Sequence, residues 1–169
     1  MRVERYIAFV DLCGFTGYVD AEGDEQGVRV LHEFRVLIRE VASDHGVRVA
    51  KWLGDGAMFV STEPGPLLGM VLDLDDRVAA APELTLPLRV GVAGGLVILF
   101  EGDDYIGKAV NLAARLCDAA APNEILAESA LVPHLADSMQ SAPAGDLALA
   151  GFLATIPVVR LGARARQTG

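Results

Sequence analysis

At 169 residues the chain is long enough to bury a core of its own and too short for two ordinary domains. Hydrophobic residues make up 52% and charged ones 22%, which excludes a disordered chain, and 14 basic against 23 acidic residues give a net charge of −9. That balance offers no general field for nucleic-acid phosphates, so an anionic ligand must be recruited locally.

The opening MRVERYIAFVD carries charges where a signal peptide needs an unbroken apolar stretch, and Tyr6 to Val10 reads as a buried strand ending at Asp11. From Gln26 to Asp44 the stripe Val30, Leu31, Phe34, Leu37, Ile38 and Val41 predicts an amphipathic helix, which Gly46 stops. Val47 to Trp52 and Ala57 to Ser61 read as two strands of a hairpin, joined by Leu53-Gly54-Asp55-Gly56 with the acid at its tip. Pro64 and Pro66 open a second helix, with Leu67, Val71, Leu74 and Val78 on its apolar side, that ends at Ala81-Pro82.

Leu88 to Val92 and Leu96 to Phe100 are predicted as strands interrupted by Gly94-Gly95, and the whole apolar run is too short to span a bilayer. Lys108 to Ala120 is predicted helical, Glu124 to Ala127 a strand, Leu131 to Met139 a short helix, and closing strands fall within Asp146 to Ala150 and Ile156 to Leu161. The pattern predicts an α+β domain over residues 1–161, helices packed on one face of a mostly antiparallel sheet, with Gly162 to Gly169 a frayed, disordered tail. The two cysteines, Cys13 and Cys117, form neither a disulfide framework nor a zinc site, and suit a soluble, cytoplasmic protein without membrane or nucleic-acid partners.

Asp11 and Asp55 each end an apolar strand at a glycine-containing turn. Taken singly, such an aspartate is a turn former bonded to backbone. Two brought together would repel unless a cation shared them, and oxygen ligands of this kind suit Mg²⁺ or Mn²⁺. Lys51, four residues before Asp55, is a hydrogen-bond donor, and Asp104, three residues before Gly107, an acceptor. Asn111 and Arg115, four apart on a helix, share one face otherwise set among small apolar residues.

Three blocks, FVDLCGFT from Phe9, KWLGDGAMF from Lys51 and GDDYIGKAVNLAARL from Gly102, together resemble the class III adenylate and guanylate cyclase catalytic domain, and within it the mycobacterial-type bacterial adenylate cyclases. The likeness runs from Arg5 to Asp118. It implies a ferredoxin-like, mostly antiparallel sheet with helices packed on it, and conversion of ATP to 3′,5′-cyclic AMP with two divalent cations, Mg²⁺ or Mn²⁺, per site. By the resemblance, Asp11, Asp55 and the backbone of Leu12 hold metal, while the backbone of Leu12, Cys13, Gly14, Phe15 and Thr16 faces the triphosphate. Lys51 and Asp104 select adenine, Asp104 being preferred to Asp103 by its spacing to Gly107; Asn111 orients the ribose and Arg115 stabilises the transition state.

Lys51 and Asp55 stand on one short hairpin and cannot readily grip opposite ends of one ATP. The family's answer is a homodimer with two composite sites, one subunit giving the aspartates and the other the remaining groups. One departure stands out: where relatives carry a basic residue for the terminal phosphates, this chain has Leu149-Ala150-Gly151-Phe152, leaving Lys108, Arg48 and Arg160 as substitutes. Neither His32, His45 nor His134 is placed by a motif, so no side-chain general base is expected. The rival readings are a guanylate cyclase, a silent nucleotide-binding dimerisation module, and a receiver domain, the last of which leaves the hairpin and Asn111/Arg115 without purpose.

Overall fold

The computed structural model describes residues 1–163, which form one eight-stranded sheet with helices on both of its faces. In chain order the elements are β1 (Arg2–Leu12), α1 (Phe15–Glu22), α2 (Asp24–Asp44), β2 (Arg48–Leu53), β3 (Gly56–Ser61), α3 (Pro64–Ala80) and β4 (Leu88–Phe100). They continue as β5 (Asp104–Ile106), α4 (Lys108–Ala119), β6 (Glu124–Glu128), a 3-10 turn (Ser129–His134), β7 (Met139–Leu147) and β8 (Ile156–Ala163). The strand order is β2-β3-β1-β4-β6-β8-β7, with β5 on the outer half of β4. Only the β4–β6 pairing is parallel among the described strands.

Alternation along the strands builds two cores. Ala8, Val10 and Leu12 of β1 and Val90 and Val92 of β4 pack under Val30, Phe34, Ile38 and Val41 of α2 and Leu67, Val71 and Leu74 of α3. Their neighbours Ile7, Met58, Val60 and Ala93 point the other way, under Leu112, Ala113 and Leu116 of α4. Every residue of β3 is buried, as a strand covered on both sides must be. This corrects the expectation of helices on one face: α4 lies across the sheet from α2 and α3. Its apolar stripe announces an amphipathic helix but does not encode which face receives it.

The glycines explain two further features. A Cβ on Gly91 would stand 2.2 Å from both the Ala113 carbonyl oxygen and the Cys117 nitrogen, so α4 lies backbone-close on β4 at that point. Gly94 and Gly95 do not break the strand as expected. β4 is continuous, because pairing with β1 runs unbroken from Arg2↔Ile98 to Leu12↔Leu88, and the Gly94 N–H donates to Glu128 Oε1 at 2.6 Å.

Other boundaries differ from the sequence reading. The expected Leu131 to Met139 helix is the earlier 3-10 turn, and the strand expected within Asp146 to Ala150 is β7, which begins at Met139 and ends at Leu147. Gly162 and Ala163, assigned to the tail, end β8 and pair with Gln140 and Met139 of β7, while residues 164–169 of that tail lie outside the described residues. Among the described residues no helix is long and apolar enough to cross a membrane.

Candidate active site

The β2–β3 hairpin distributes two of the candidate residues to different places. Val49 stands opposite Phe59, Lys51 opposite Met58 and Trp52 opposite Ala57, so Ala50 is an extra residue in β2, a bulge. Residues directly opposite share a face, and Phe59 and Ala57 belong to the core under α2 whereas Met58 belongs to the core under α4. The bulge therefore keeps Val49 and Trp52 on the α2 face while turning Lys51 to the α4 face. Without it, strict alternation would put Val49 and Lys51 on the same side.

On the α4 face the Lys51 Nζ meets Asp104 Oδ1 at 2.7 Å, joining β2 to β5, which are not neighbours in the sheet. Asp104 also accepts from the Tyr105 N–H at 2.8 Å. The Lys51 ammonium, followed by that backbone donor, holds the Asp104 carboxyl below its usual range. Both side chains remain substantially exposed, at 45% and 39%, so a ligand edge can reach them. Asp103 precedes the strand; Asp104 is the one that pairs.

Asn111 and Arg115 lie along α4 and line a cleft of about 850 Å³ together with Lys108 and the Ala150–Ala154 loop. Ala150 lies on that wall, where a lysine was missed in the sequence. Of the three proposed substitutes, Lys108 lines the cleft, its Nζ 5.8 Å from the Phe152 ring centroid, whereas Arg160 is held by Glu124 and Arg48 is an exposed residue of β2.

Asp11 and Asp55 meet elsewhere. They line a second cleft, of about 400 Å³, with Leu12, Cys13, Gly14, Phe15, Thr16 and Arg89. The Leu12 N–H donates to the Asp55 carbonyl at 3.1 Å, which locks the hairpin turn to the end of β1. Gly14, at φ 74°, turns the chain into α1, whose first turn has no side-chain cap and so leaves its amides available to an anion. Burial first of all, opposed by Arg89 and reinforced by Asp55, pushes the Asp11 carboxyl up to about 6. The pair thus carries negative charge that Arg89 does not fully compensate.

Among the described residues no group of three or more His, Cys, Asp or Glu side chains gathers as a closed cage. Two carboxylates at an open cleft, short of compensating charge, do fit Mg²⁺ or Mn²⁺, which take part of their shell from water and phosphate. The cleft's donor set is therefore compatible with the expected cations.

Arg89 was not found from the sequence. Its Nη2 and Nε donate to Asp11 Oδ2 at 2.8 and 3.1 Å, from the position directly opposite on β4. A lone charge inside the apolar run from Leu88 was the available signal. Arg89 Nη2 also stands 3.9 Å from Asp118 Oδ1, and Arg115 Nη1 lies 3.5 Å from Asp118 Oδ2, so opposite charges alternate from Asp11 to Arg115. None of the histidines lines either cleft: His45 bonds Asp73 at 3.0 Å, His134 packs edge-on against Tyr6, and His32 lies on α2.

The six expected residues thus fall into two sets within one chain, Asp11 with Asp55 at the end of β1 on one hand, Lys51 with Asp104 and Asn111 with Arg115 on the α4 side on the other, and the two clefts share no lining residue. Cys13 and Cys117 are both free thiols.

Comparison with known proteins bears directly on this arrangement. The sequence model of the adenylate and guanylate cyclase catalytic domain matches residues 4–155. An uncharacterized protein of Mycobacterium tuberculosis is 39% identical over 155 residues, covering 92% of this chain and 40% of that protein. A pH-sensitive adenylate cyclase of the same species is 31% identical over 168 residues, 96% of this chain and 42% of the relative, and an adenylate cyclase of Streptomyces coelicolor is 32% identical over 149 residues, 86% and 38%. The chain spans about two fifths of the length of these relatives. Among solved structures, the adenylyl cyclase CyaB from P. aeruginosa superposes with a TM-score of 0.86 at 24% identity, covering 100% of this chain and 98% of that one. A guanylate cyclase domain from Catenaria anguillulae in complex with GTP gives 0.86 at 16%, covering 97% and 99%, and these two show a shared fold. The chain belongs to the class III adenylate and guanylate cyclase catalytic domain family.

Proposed function

From that membership, we propose that the chain is an adenylate cyclase catalytic domain that converts ATP to 3′,5′-cyclic AMP and pyrophosphate as a homodimer. The observation that carries the choice of ATP is the Lys51–Asp104 pair, 2.7 Å apart on the α4 face and open to a ligand. Adenine can enter between them with its N1 accepting from Lys51 and its N6 amine donating to Asp104. Guanine presents acceptor and donor in the exchanged order. The names of the mycobacterial and Streptomyces relatives support the same substrate.

In the reaction the ribose 3′ oxygen attacks the α-phosphorus, the bond to the bridging oxygen breaks, and pyrophosphate leaves in line. The 3′ proton passes to solvent, since no histidine lines either cleft. Asp11 and Asp55, with the Leu12 carbonyl, would hold the cations. Mg²⁺ or Mn²⁺ held there would supply a lowered pKa for the 3′ hydroxyl and neutralisation of triphosphate charge. The amides from Leu12 to Thr16, opening α1, face the phosphates. Asn111 holds the sugar in attack geometry and Arg115 meets the charge growing on the α-phosphate.

The separation of the two clefts supports the dimer: one chain's carboxylates act with the partner's Asn111 and Arg115 walls. The outer half of β4 and β5 adds a surface for it. Leu96 is 61% exposed and Phe100 47%, with Ile98 and Ile106 opposite each other on the same face, an apolar patch suited to a second copy.

The test is product formation by the purified chain with Mn²⁺ and either ATP or GTP. Cyclic AMP made faster than cyclic GMP is expected; the reverse makes this a guanylate cyclase. Neither product would leave a silent nucleotide-binding module.

A further inference from the structure

The hairpin that carries Lys51 and Asp55 is held from outside by two residues the cyclase chemistry does not use. Arg35 and Arg39, four apart on α2 and therefore on one face, place their guanidinium carbons 5.0 and 4.9 Å from the centroid of Trp52. Trp52 is the sole tryptophan of the chain and lies between Lys51 and the turn bearing Asp55. Both cations thus grip the side chain that the Ala50 bulge keeps on the α2 face.

Arg35 reaches further than Arg39. Its Nη2 donates to the Gly54 carbonyl oxygen at 3.3 Å. That carbonyl belongs to the peptide group preceding the Asp55 Cα. The following peptide group is held by its own bond, from the Leu12 N–H to the Asp55 carbonyl at 3.1 Å. With both flanking peptide planes pinned, one to β1 and one to α2, the direction in which Cα carries the Asp55 carboxylate is set. The turn would otherwise be loose, since Gly54 sits at φ 60° and glycine restrains it little.

A second observation sets this arginine apart. Arg35 Nε is buried without a hydrogen-bond partner. Burying an unpaired N–H is a cost that a shorter or apolar residue would avoid, so the group stays because its other end is needed.

We propose that Arg35 is a positioning residue for the divalent-cation site: through the Gly54 carbonyl and the Trp52 ring it fixes the turn that aims Asp55 at Asp11. The inference rests on reading Asp11 and Asp55 as that site. Arg35 touches neither cation nor nucleotide, and acts through the turn alone.

The experiment is binding of Mn²⁺ alone to the full chain, read by loss of the free-ion paramagnetic resonance signal, with Trp52 fluorescence reporting on the hairpin. Arg35→Gln is expected to weaken Mn²⁺ binding roughly tenfold, the scale of lost outer support at metal sites. Arg39→Gln thins the stack but leaves Gly54 alone, so it shifts Trp52 emission without weakening Mn²⁺. Arg35→Lys, which keeps a donor, recovers binding and guards against a variant that fails to fold.

Equal Mn²⁺ affinity in the wild type and Arg35→Gln overturns the proposal and leaves the cyclase reading intact. Equal weakening by Arg35→Gln and Arg39→Gln overturns it as well, assigning the effect to the stack. Wild-type binding that Asp55→Asn does not diminish removes the cation-site reading and this inference with it.

Discussion

The two clefts of this chain solve opposite electrostatic problems. On the α4 face the charges arrive already matched: Lys51 sits on Asp104 and Arg115 lies beside Asp118. At the end of β1 they do not, and the Asp11 carboxyl, half-buried beside Asp55, is pushed up to about 6 despite Arg89. Under the proposed function a matched site suits a neutral base edge and charge that appears only during reaction, and an unmatched acidic one suits cations. The difference teaches that a single chain can hold every expected group and still present them at two separate places.

The sharpest way to break this comparison is to damage one cleft per chain. Asp55→Asn and Arg115→Ala should each lower cyclic AMP formation on the order of 10³-fold or more, several kcal/mol of transition-state stabilisation. Mixing the two variants should restore roughly a quarter of the wild-type rate, because half the dimers are mixed and each keeps one of its two sites intact. A mixture as inactive as its components would show that the clefts belong to separate functions.

Next in size is the base edge. Lys51→Glu should shift the ATP-to-GTP ratio of kcat/KM toward GTP by about 5- to 150-fold, the worth of one good base contact, while leaving Mn²⁺ dependence in place. An unchanged ratio would detach the α4 face from purine choice.

Gly91→Ala tests how the α4 wall is seated. The added Cβ meets backbone atoms at 2.2 Å, which cannot yield as a side chain would, so α4 must move off β4. A destabilisation of about 1–3 kcal/mol in denaturant unfolding is expected. Activity should fall with it through Asn111 and Arg115, with Mn²⁺ binding at the other cleft spared.

The smallest effect concerns Asp11 without cations. Its folded pKa of about 6 lies above its ordinary 3.8, so the native state holds that proton more tightly than the unfolded chain. The group's contribution is therefore best below pH 4 and is lost as pH rises toward 6. At pH 7 Asp11→Asn should be more stable than the wild type by about 1 kcal/mol, allowing for partial solvent screening, and the gap should close as pH falls to 4. Unfolding melts at several pH values in chelator check this, and added Mn²⁺ should reverse the order at pH 7.

Much of this was legible in the sequence because it is written locally. The stripes of α2, α3 and α4 and the glycine-flanked hairpin tip are patterns of neighbouring residues, and the site residues fall in three short blocks. What stayed hidden depends on distant partners or on weak local signals. α1 buries no residue, so it has no stripe to read, and β5 is three residues long. Gly94 and Gly95 look like a break, yet strand pairing on β1 carries them through. Arg89 finds Asp11 across 78 positions, and Arg35 finds the hairpin through a helix face. The choice of sheet face for α4 is a tertiary decision that its own periodicity leaves open.

The extra residue in β2 makes the hairpin something like a text with a reading frame. Because side chains alternate with a period of two, pairing Ala50 regularly instead of bulging it out would put every later letter of β2 in the other phase. Lys51 would then be spoken to α2 and its arginines, and Trp52 would face the α4 side, with Asp55 still at the tip. One bulged residue thus decides whether the lysine addresses Asp104 or a helix.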